Sequence, residues 1–175
     1  MSLELASEII RLPYREPFRI ARAHGGDGMS SMLVELRHPE WPSLVGYGEG
    51  YPDAYYGETL ETIDVVLRLL LASISPAELE AAAANPEAGL AAISERFEAA
   101  IAHHGAAKCA LDTAIHDLVG KRLGRPVYDL LGLSPAIGPT DFTVGIDEPE
   151  IVAERASRAA RFPALKIKVG GPSDL

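Results

Sequence analysis

The sequence contains 175 residues, with 47% hydrophobic and 23% charged side chains and a formal net charge of −9. This composition is typical of a globular protein that holds one domain or slightly more. The negative charge, without any run of Lys and Arg, argues against a nucleic-acid partner. A single cysteine, Cys109, excludes an internal disulfide and favours a reducing compartment.

The N-terminus and the longest apolar block argue against two further classes of protein. Acidic residues in "MSLELASEII" occupy the place where a signal peptide carries bases followed by an apolar run. The block "VVLRLLLASI" is interrupted by Arg68 and is too short to cross a bilayer. We therefore predict a soluble, cytoplasmic protein without a membrane partner.

The first fifty residues alternate between apolar and polar positions and predict an antiparallel meander. The strand candidates, in chain order, are "LELASEIIRL" from Leu3, "FRIARA" from Phe18, "SMLVELR" from Ser31 and "LVGYGEG" from Leu44. A small antiparallel sheet needs a cover on one face, so helices are expected to follow.

Helical patterns fill the region from residue 59 to residue 124. Four helices are predicted: residues 59–74, a helix from Ser75-Pro76, a helix from Asn85-Pro86 to about residue 103, and residues 106–124. The fourth pattern is the strongest, and Cys109 within it is expected to be buried packing rather than a nucleophile.

After residue 135 the pattern changes to strand, helix, strand. The stretches "TDFTVGI" and "ALKIKVG" predict strands, and residues 147–162 between them predict a helix. Strands connected in this way should be parallel, with a right-handed crossover. We predict an α+β domain over residues 1–135 and the beginning of an α/β domain over residues 136–175, because one β-α-β unit cannot complete a parallel sheet.

Two lysines lie in the last predicted strand. Lys166 and Lys168 are two positions apart, so their side chains point to the same side. The pair can be a surface device, because lysines on an edge strand discourage aggregation. It can also be chemical, because the C-terminal ends of barrel strands face the active site and neighbouring cations disfavour full protonation, which provides a base.

Five blocks of sequence, in order along the chain, point to a known family. They are "PFRIAR" (17–22), "GYGEGYP" with "YYGET" (46–59), "AAKCALDTAIHDLVGK" (106–121), "PVYDLLG" (126–132) and "LKIKVG" (165–170). With these blocks the chain resembles the N-terminal half of the enolase superfamily, in its muconate-lactonizing subgroup. Within that subgroup it is most similar to the dipeptide epimerases, such as the L-Ala-D/L-Glu epimerases.

The resemblance implies a fold and a reaction. Residues 1–135 would form an α+β capping domain, an antiparallel meander with helices, and residues 136–175 would begin a TIM-like (β/α) barrel. Enzymes of this superfamily use a Lys base with Mg²⁺ to remove the proton α to a carboxylate or carboxamide. In such enzymes the metal ligands lie on later barrel strands, so none is expected within this chain. We accordingly expect no turnover by the 175-residue polypeptide alone.

The resemblance also assigns roles to individual residues. Lys168 matches the acid/base of one substrate face, and Lys166 matches the neighbour that tunes it and touches the substrate carboxylate. Two loops of the capping domain, about residues 22–30 and 51–57, would set substrate choice. The candidate substrate contacts are Arg22, His24, Phe18, Asp53, Tyr55, Tyr56 and Thr143. His103, His104 and His116 are expected to be structural rather than metal ligands, because they have no carboxylate partner at ligand spacing.

Several functions remain open at this stage. Besides dipeptide epimerisation, the same family includes muconate cycloisomerases and N-acylamino-acid racemases that also make o-succinylbenzoate. An alternative of a different class is a capping or interaction fragment without catalysis. The expected partners are a small-molecule carboxylate and, as in other members of the family, further copies of the protein in a homo-oligomer.

Overall fold

The computed structural model describes residues 2–21 and 26–170 of the chain. Contacts between residues divide the chain into two compact units. The first unit joins Met1–Arg11 to Ser30–Pro135, and the second joins Leu12–Met29 to Ala136–Leu175. The sequence alone assigned residues 12–29 to the first domain, whereas their contacts group them with the second unit.

A three-stranded sheet, in the order β1-β2-β3, accounts for the predicted meander. The strands are β1 (Glu4–Pro13), β2 (Gly28–Arg37) and β3 (Gly46–Gly50). Strands β2 and β3 run antiparallel, with Val34 opposite Gly48. The predicted strand at "FRIARA" is wrong for its described residues, 18–21, where only Ile20 makes an isolated bridge. Its backbone is used elsewhere, because the Arg19 carbonyl accepts a hydrogen bond from the Ile146 N–H.

The four predicted helices are confirmed, and a fifth, short helix follows them. They are α1 (Leu60–Ala72), α2 (Pro76–Ala84), α3 (Pro86–Ala100), α4 (Gly105–Leu123) and α5 (Val127–Leu130). The start of α2 follows the predicted cap, since the Ser75 N–H donates to the Glu78 carboxylate at 2.8 Å. The four residues of α5 are too few to show helical periodicity. In the described part of the chain, no helix is long and apolar enough to cross a membrane.

The apolar core of the first unit lies around α4, and α1 packs against that helix. Leu67 and Leu70 of α1 and Leu111 and Leu118 of α4 are fully buried. Cys109, also on α4, is exposed, so the prediction that it is buried packing is wrong. It lies on the solvent side of the helix next to Thr113, away from the stripe that faces the sheet.

Strand β3 packs directly on α4 through glycines. Gly46, Gly48 and Gly50 are buried and alternate with exposed residues. A Cβ atom built on Gly48 would lie 1.9 Å from the Ala110 carbonyl oxygen. The contact is further fixed by Asp117 of α4, whose carboxylate accepts the Tyr47 N–H at 2.8 Å. The strand backbone and helix backbone therefore touch without side chains between them.

A buried histidine connects β2 with α2. His38 is 1% exposed, its Nε2 lies 3.1 Å from the Pro76 carbonyl oxygen, and its Nδ1 accepts the Glu40 N–H at 3.1 Å. Its ring stacks on Trp41 with 4.0 Å between ring centroids. The imidazole therefore provides the acceptor for the Glu40 N–H and a further contact with the first carbonyl of α2.

Replacing His38 with alanine should lower the free energy of unfolding by about 2–4 kcal/mol, because it leaves a cavity and an unpaired Glu40 N–H. The measurement is the midpoint of urea unfolding followed by circular dichroism. His103→Asn is a suitable control, because His103 is exposed and has a φ of 62°, a conformation that asparagine tolerates. Equal losses in the two variants would contradict this role for His38.

The second unit contains the predicted β-α-β arrangement. Strand β4 (Asp141–Val144) is followed by helix α6 (Pro149–Arg158) and strand β5 (Ala164–Ile167). The two strands pair in parallel, as predicted. The helix is shorter than the predicted 147–162, because Asp147 and Glu148 form the turn before it.

Candidate functional site

The carboxyl ends of β4 and β5 lie at the same edge of their two-stranded sheet. Thr143 pairs with Lys166 and Val144 with Ile167. One residue further on, the Lys168 N–H donates to the Val144 carbonyl at 2.9 Å. The backbone of Lys168 is therefore tied to the end of β4, which fixes where its side chain leaves the sheet.

Alternation along the two strands separates polar and apolar side chains. Thr143 and Lys166 are neighbours in register, and Lys168 follows two positions later, so all three belong to one side of the sheet. Lys166 is exposed and Lys168 partly buried. The structure therefore brings together three of the residues that the sequence singled out, with the two cations adjacent.

The opposite side of this sheet is apolar. Phe142 stacks on Phe162 with ring centroids 5.0 Å apart, and Val144 is buried. Leu165 and Ile167 share this side but remain 37% and 43% exposed, although their spacing is typical of core positions. Helix α6 packs against β4, which leaves these two side chains of β5 with little cover.

Residues 14–21 run across the carboxyl ends of both strands. The Arg19 carbonyl accepts the Ile146 N–H at 3.0 Å, immediately after β4. A Cβ atom on Gly145 would lie 3.0 Å from the Arg19 carbonyl oxygen and 3.2 Å from the Phe18 ring. Phe18 is thereby placed beside the end of β4, and its role at a substrate stays a prediction.

After β5 the same segment approaches Gly170, whose φ is 127°. A Cβ atom there would lie 2.8 Å from the Cβ of Ala21. The residues that follow Ala21 include Arg22 and His24, which lie outside the described residues. Where the chain returns, the Tyr14 N–H donates to the Asp27 carbonyl at 2.9 Å. The base of the first predicted loop is therefore anchored at the carboxyl edge of the sheet.

A cavity of about 470 Å³ lies beside this segment in the second unit. Its lining includes Phe18, Thr143, Phe142 and Phe162, together with arginines of α6. Lys166 and Lys168 do not line it. The cavity thus lies mainly against the apolar side of the sheet and reaches Thr143, whereas Lys166 and Lys168 lie outside its lining.

The second predicted loop belongs to the first unit and forms a 3₁₀ turn, Ala54–Tyr56. Asp53 begins the turn, because its carboxylate accepts the Tyr55 N–H at 2.9 Å. The Tyr55 and Tyr56 rings meet edge to face at 5.1 Å and are 74% and 73% exposed. Asp53 therefore has a structural use, while the two rings present their surfaces to solvent.

The histidines and acids of the described residues do not assemble a metal site. Within residues 2–21 and 26–170, no three His, Cys, Asp or Glu side chains converge as ligands. His116 instead directs Nδ1 to the Asp112 carbonyl at 2.9 Å. His103 and His104 have positive φ and lie between α3 and α4, not within a helix. These residues do not fit a magnesium ion, so no chemical step is derived through one.

Sequence reasoning did not identify one charged cluster in the second unit. Arg155 of α6 contacts the carboxylates of Glu16 and Asp147. No local pattern signals this contact, because Glu16 and Arg155 lie at opposite ends of the sequence and each looks like a surface residue in its own segment.

Similar proteins and a family model all assign this chain to the same family. A family model described as the N-terminal domain of mandelate racemase / muconate lactonizing enzyme matches residues 9–132. L-Ala-D/L-Glu epimerase of Bacteroides thetaiotaomicron is 36% identical over 139 residues, covering 77% of this chain and 33% of that protein. N-succinyl-L-Arg/Lys racemase of Bacillus cereus is 32% identical over 164 residues, covering 92% of this chain and 42% of that protein.

A solved structure extends the similarity to the fold. The dipeptide epimerase of Enterococcus faecalis, complexed with Mg and the dipeptide L-Leu-L-Tyr, is 35% identical, with a TM-score of 0.78. The alignment covers 97% of this chain and 45% of that protein. The chain therefore spans less than half the length of each of these three proteins.

Proposed function

Because this chain belongs to the mandelate racemase / muconate lactonizing enzyme family of the enolase superfamily, we propose that it is the N-terminal part of an isomerase that epimerises dipeptides. The observation that carries the proposal is the position of Lys166 and Lys168. Both belong to the side of the sheet that carries Thr143, at the carboxyl edge where barrel enzymes place their active sites.

The chemistry proposed for this chain is proton transfer at carbon. Lys168, as a neutral amine, takes the proton α to a carboxylate or carboxamide from one face of one epimer and, as an ammonium, gives a proton to that face in the reverse direction. Inversion needs a second acid/base on the opposite face, which we propose other residues of the enzyme supply. The Lys166 ammonium beside it stabilises the negative charge that develops on the substrate when the proton leaves. Thr143, next to Lys166 in register, is proposed to orient the same substrate group through its hydroxyl.

The two loops are proposed to select the substrate. Arg22 would pair with a substrate carboxylate and His24 would contact the substrate, while Phe18 would form an apolar wall next to the end of β4. In the second loop, the exposed rings of Tyr55 and Tyr56 offer apolar and hydrogen-bonding surface. Hydrophobic or acidic dipeptide side chains are both compatible with this set of residues.

We propose that the full enzyme depends on Mg²⁺. The support is the metal in the similar Enterococcus faecalis structure. The residues described in this chain supply no ligand set, so a metal would have to be held by other residues of the enzyme. Removing divalent cations with a chelator and restoring them with Mg²⁺ tests this dependence directly.

One similar protein supports a second reaction that also moves a proton at the α-carbon. The similarity to N-succinyl-L-Arg/Lys racemase makes racemisation of N-acylated amino acids the alternative. Muconate cycloisomerisation and a non-catalytic capping role remain further outcomes of the test. We propose in addition a cytoplasmic location, and a homo-oligomeric assembly that size-exclusion chromatography of the full-length enzyme would check.

The decisive experiment follows the substrate α-proton. We expect the full-length enzyme, of which this chain is proposed to be the N-terminal part, to exchange the α-proton of at least one L,L-dipeptide in D₂O with Mg²⁺ and to form its epimer, measured by ¹H NMR. The substrate panel contains L-Leu-L-Tyr, L-Ala-L-Glu and N-succinyl-L-arginine. Exchange of the succinyl compound alone would replace the epimerase proposal by the racemase. No exchange with any of these compounds would reject both.

A further inference from the structure

An ion-pair cluster in the second unit has no part in the proton transfer proposed above. The Arg155 side chain on α6 is only 14% exposed and contacts two carboxylates at once. Its Nε lies 3.1 Å from Oε2 of Glu16, and its Nη1 lies 3.0 Å from Oδ2 of Asp147. Asp147 is 15% exposed. The Arg155–Asp147 pair therefore lies largely away from water, where screening is weak, whereas the Glu16 carboxylate is 44% exposed.

Glu16 is held by α6 at both of its carboxylate oxygens. Arg158, one turn after Arg155, places Nη1 2.8 Å from the other oxygen, Oε1. The planar guanidinium of an arginine fixes the direction of a carboxylate as well as its charge. The start of the segment formed by residues 14–21 is therefore held in orientation against the helix.

The same cluster reaches the carboxyl end of β4. Asp147 belongs to the turn after that strand, and its Oδ1 also accepts the Glu148 N–H at 3.0 Å. Its neighbour Ile146 donates its N–H to the Arg19 carbonyl at 3.0 Å. Arg155 thus contacts the turn after β4 through Asp147 and the segment that crosses this turn through Glu16. The same segment bonds to the turn through the Arg19 carbonyl.

We infer that Arg155 is a positioning residue: its pairing with Glu16 seats residues 14–21 on the carboxyl end of β4 and thereby sets which substrates bind. Phe18 lies within this segment, and its ring would be 3.2 Å from a Cβ atom built on Gly145. The consequence for substrate choice rests on the proposed function. The seating itself is a property of the described residues and can be measured without activity.

The amide hydrogen of Ile146 reports the seating directly. In the protein as encoded, Arg155→Met should accelerate its exchange with D₂O by about tenfold, because the segment that protects it separates more often. The Tyr47 amide, bonded to Asp117 in the first unit, should not change. Glu154→Gln is the matched control, since Glu154 pairs with Arg158 at 3.8 Å and, among the described residues, forms no ion pair with Arg155.

A second variant separates seating from the stability of α6. Glu16→Gln leaves the Arg155–Asp147 pair and the helix intact, and it should also expose the Ile146 amide. Combining Glu16→Gln with Arg155→Met should change the exchange rate by less than the two single changes together, because both remove the Arg155–Glu16 contact. Unchanged exchange at Ile146 in both single variants would overturn the inference.

Steady-state kinetics test the consequence for substrate choice. Glu16→Gln should raise KM for a dipeptide by about tenfold, by displacing the segment that carries Phe18. It should leave kcat within about twofold, because the proton-transfer groups are not altered. A purely structural role would lower kcat equally for every dipeptide and leave KM unchanged, and that result would reject the role in substrate choice. If the unaltered protein turns over no dipeptide, the proposed function fails, and the Ile146 amide alone decides the seating.

Discussion

Replacing Lys168 with methionine should abolish epimerisation of the dipeptide in both directions, lowering its rate by about 10³-fold or more. Methionine keeps the length of the side chain and removes the amine that takes and returns the proton. The Lys168 backbone N–H bonded to Val144 is retained, so the end of β5 should stay in place. The measurement is the initial rate of epimer formation by ¹H NMR.

Deuterium exchange in the Lys168→Met variant distinguishes the two faces of the substrate, which the rate of epimer formation does not. A base on one face serves one stereoisomer, so the α-proton of one epimer should stop exchanging while that of the other continues to exchange. Arg161→Met is the matched control, because it removes one exposed cation near the same strand and should leave both rates unchanged. Epimerisation at the unaltered rate in Lys168→Met would show that this lysine is not the acid/base.

Replacing Gly48 with alanine should lower the free energy of unfolding by about 3 kcal/mol, near the upper end of the usual cost of overpacking a core. The new Cβ atom would lie 1.9 Å from the Ala110 carbonyl oxygen. The carbonyl is part of the helix backbone, and the position of a Cβ atom is fixed by the strand backbone. Neither atom can rotate away, so β3 must separate from α4. The measurement is the urea midpoint, with circular dichroism reporting the loss of helix.

Gly105→Ala is the control for this substitution. Gly105 begins α4, and a Cβ atom there would meet nothing within 4 Å. Alanine has the higher helix propensity, so this variant should be as stable as the parent or slightly more stable. A Gly48→Ala protein that unfolds at the parent's urea midpoint would contradict the direct packing of β3 on α4.

The elements of this fold that were predicted well are those with local signals. Helix α2 begins where Ser75 and Glu78 form a capping box, and α4 carries Leu111, Ile115 and Leu118 at helical spacing on its buried side. The parallel arrangement of β4 and β5 follows from a strand–helix–strand order, because parallel strands need a crossover. The shared side of Lys166 and Lys168 follows from the two-residue repeat of a strand.

Predictions failed where a residue's surroundings come from distant parts of the chain. "FRIARA" has the composition of a strand, but its Arg19 carbonyl bonds Ile146 instead of a neighbouring strand. Cys109 lies in an apolar-rich helix, but its position on the helix surface faces solvent. A local pattern indicates which secondary structure a segment prefers and which of its residues share a face. It does not indicate which distant group will bond to the backbone of that segment.

For this protein, the sequence alone determined the helices with their caps, the β-α-β order and the lysine pair, since each depends on residues a few positions apart. Only the tertiary structure decided that glycines of β3 touch α4, that residues 14–21 cross the ends of β4 and β5, and that Arg155 holds Glu16. The physical reason is that these contacts join segments whose separation in sequence leaves no periodic signal, and their geometry is fixed by the packing of whole elements.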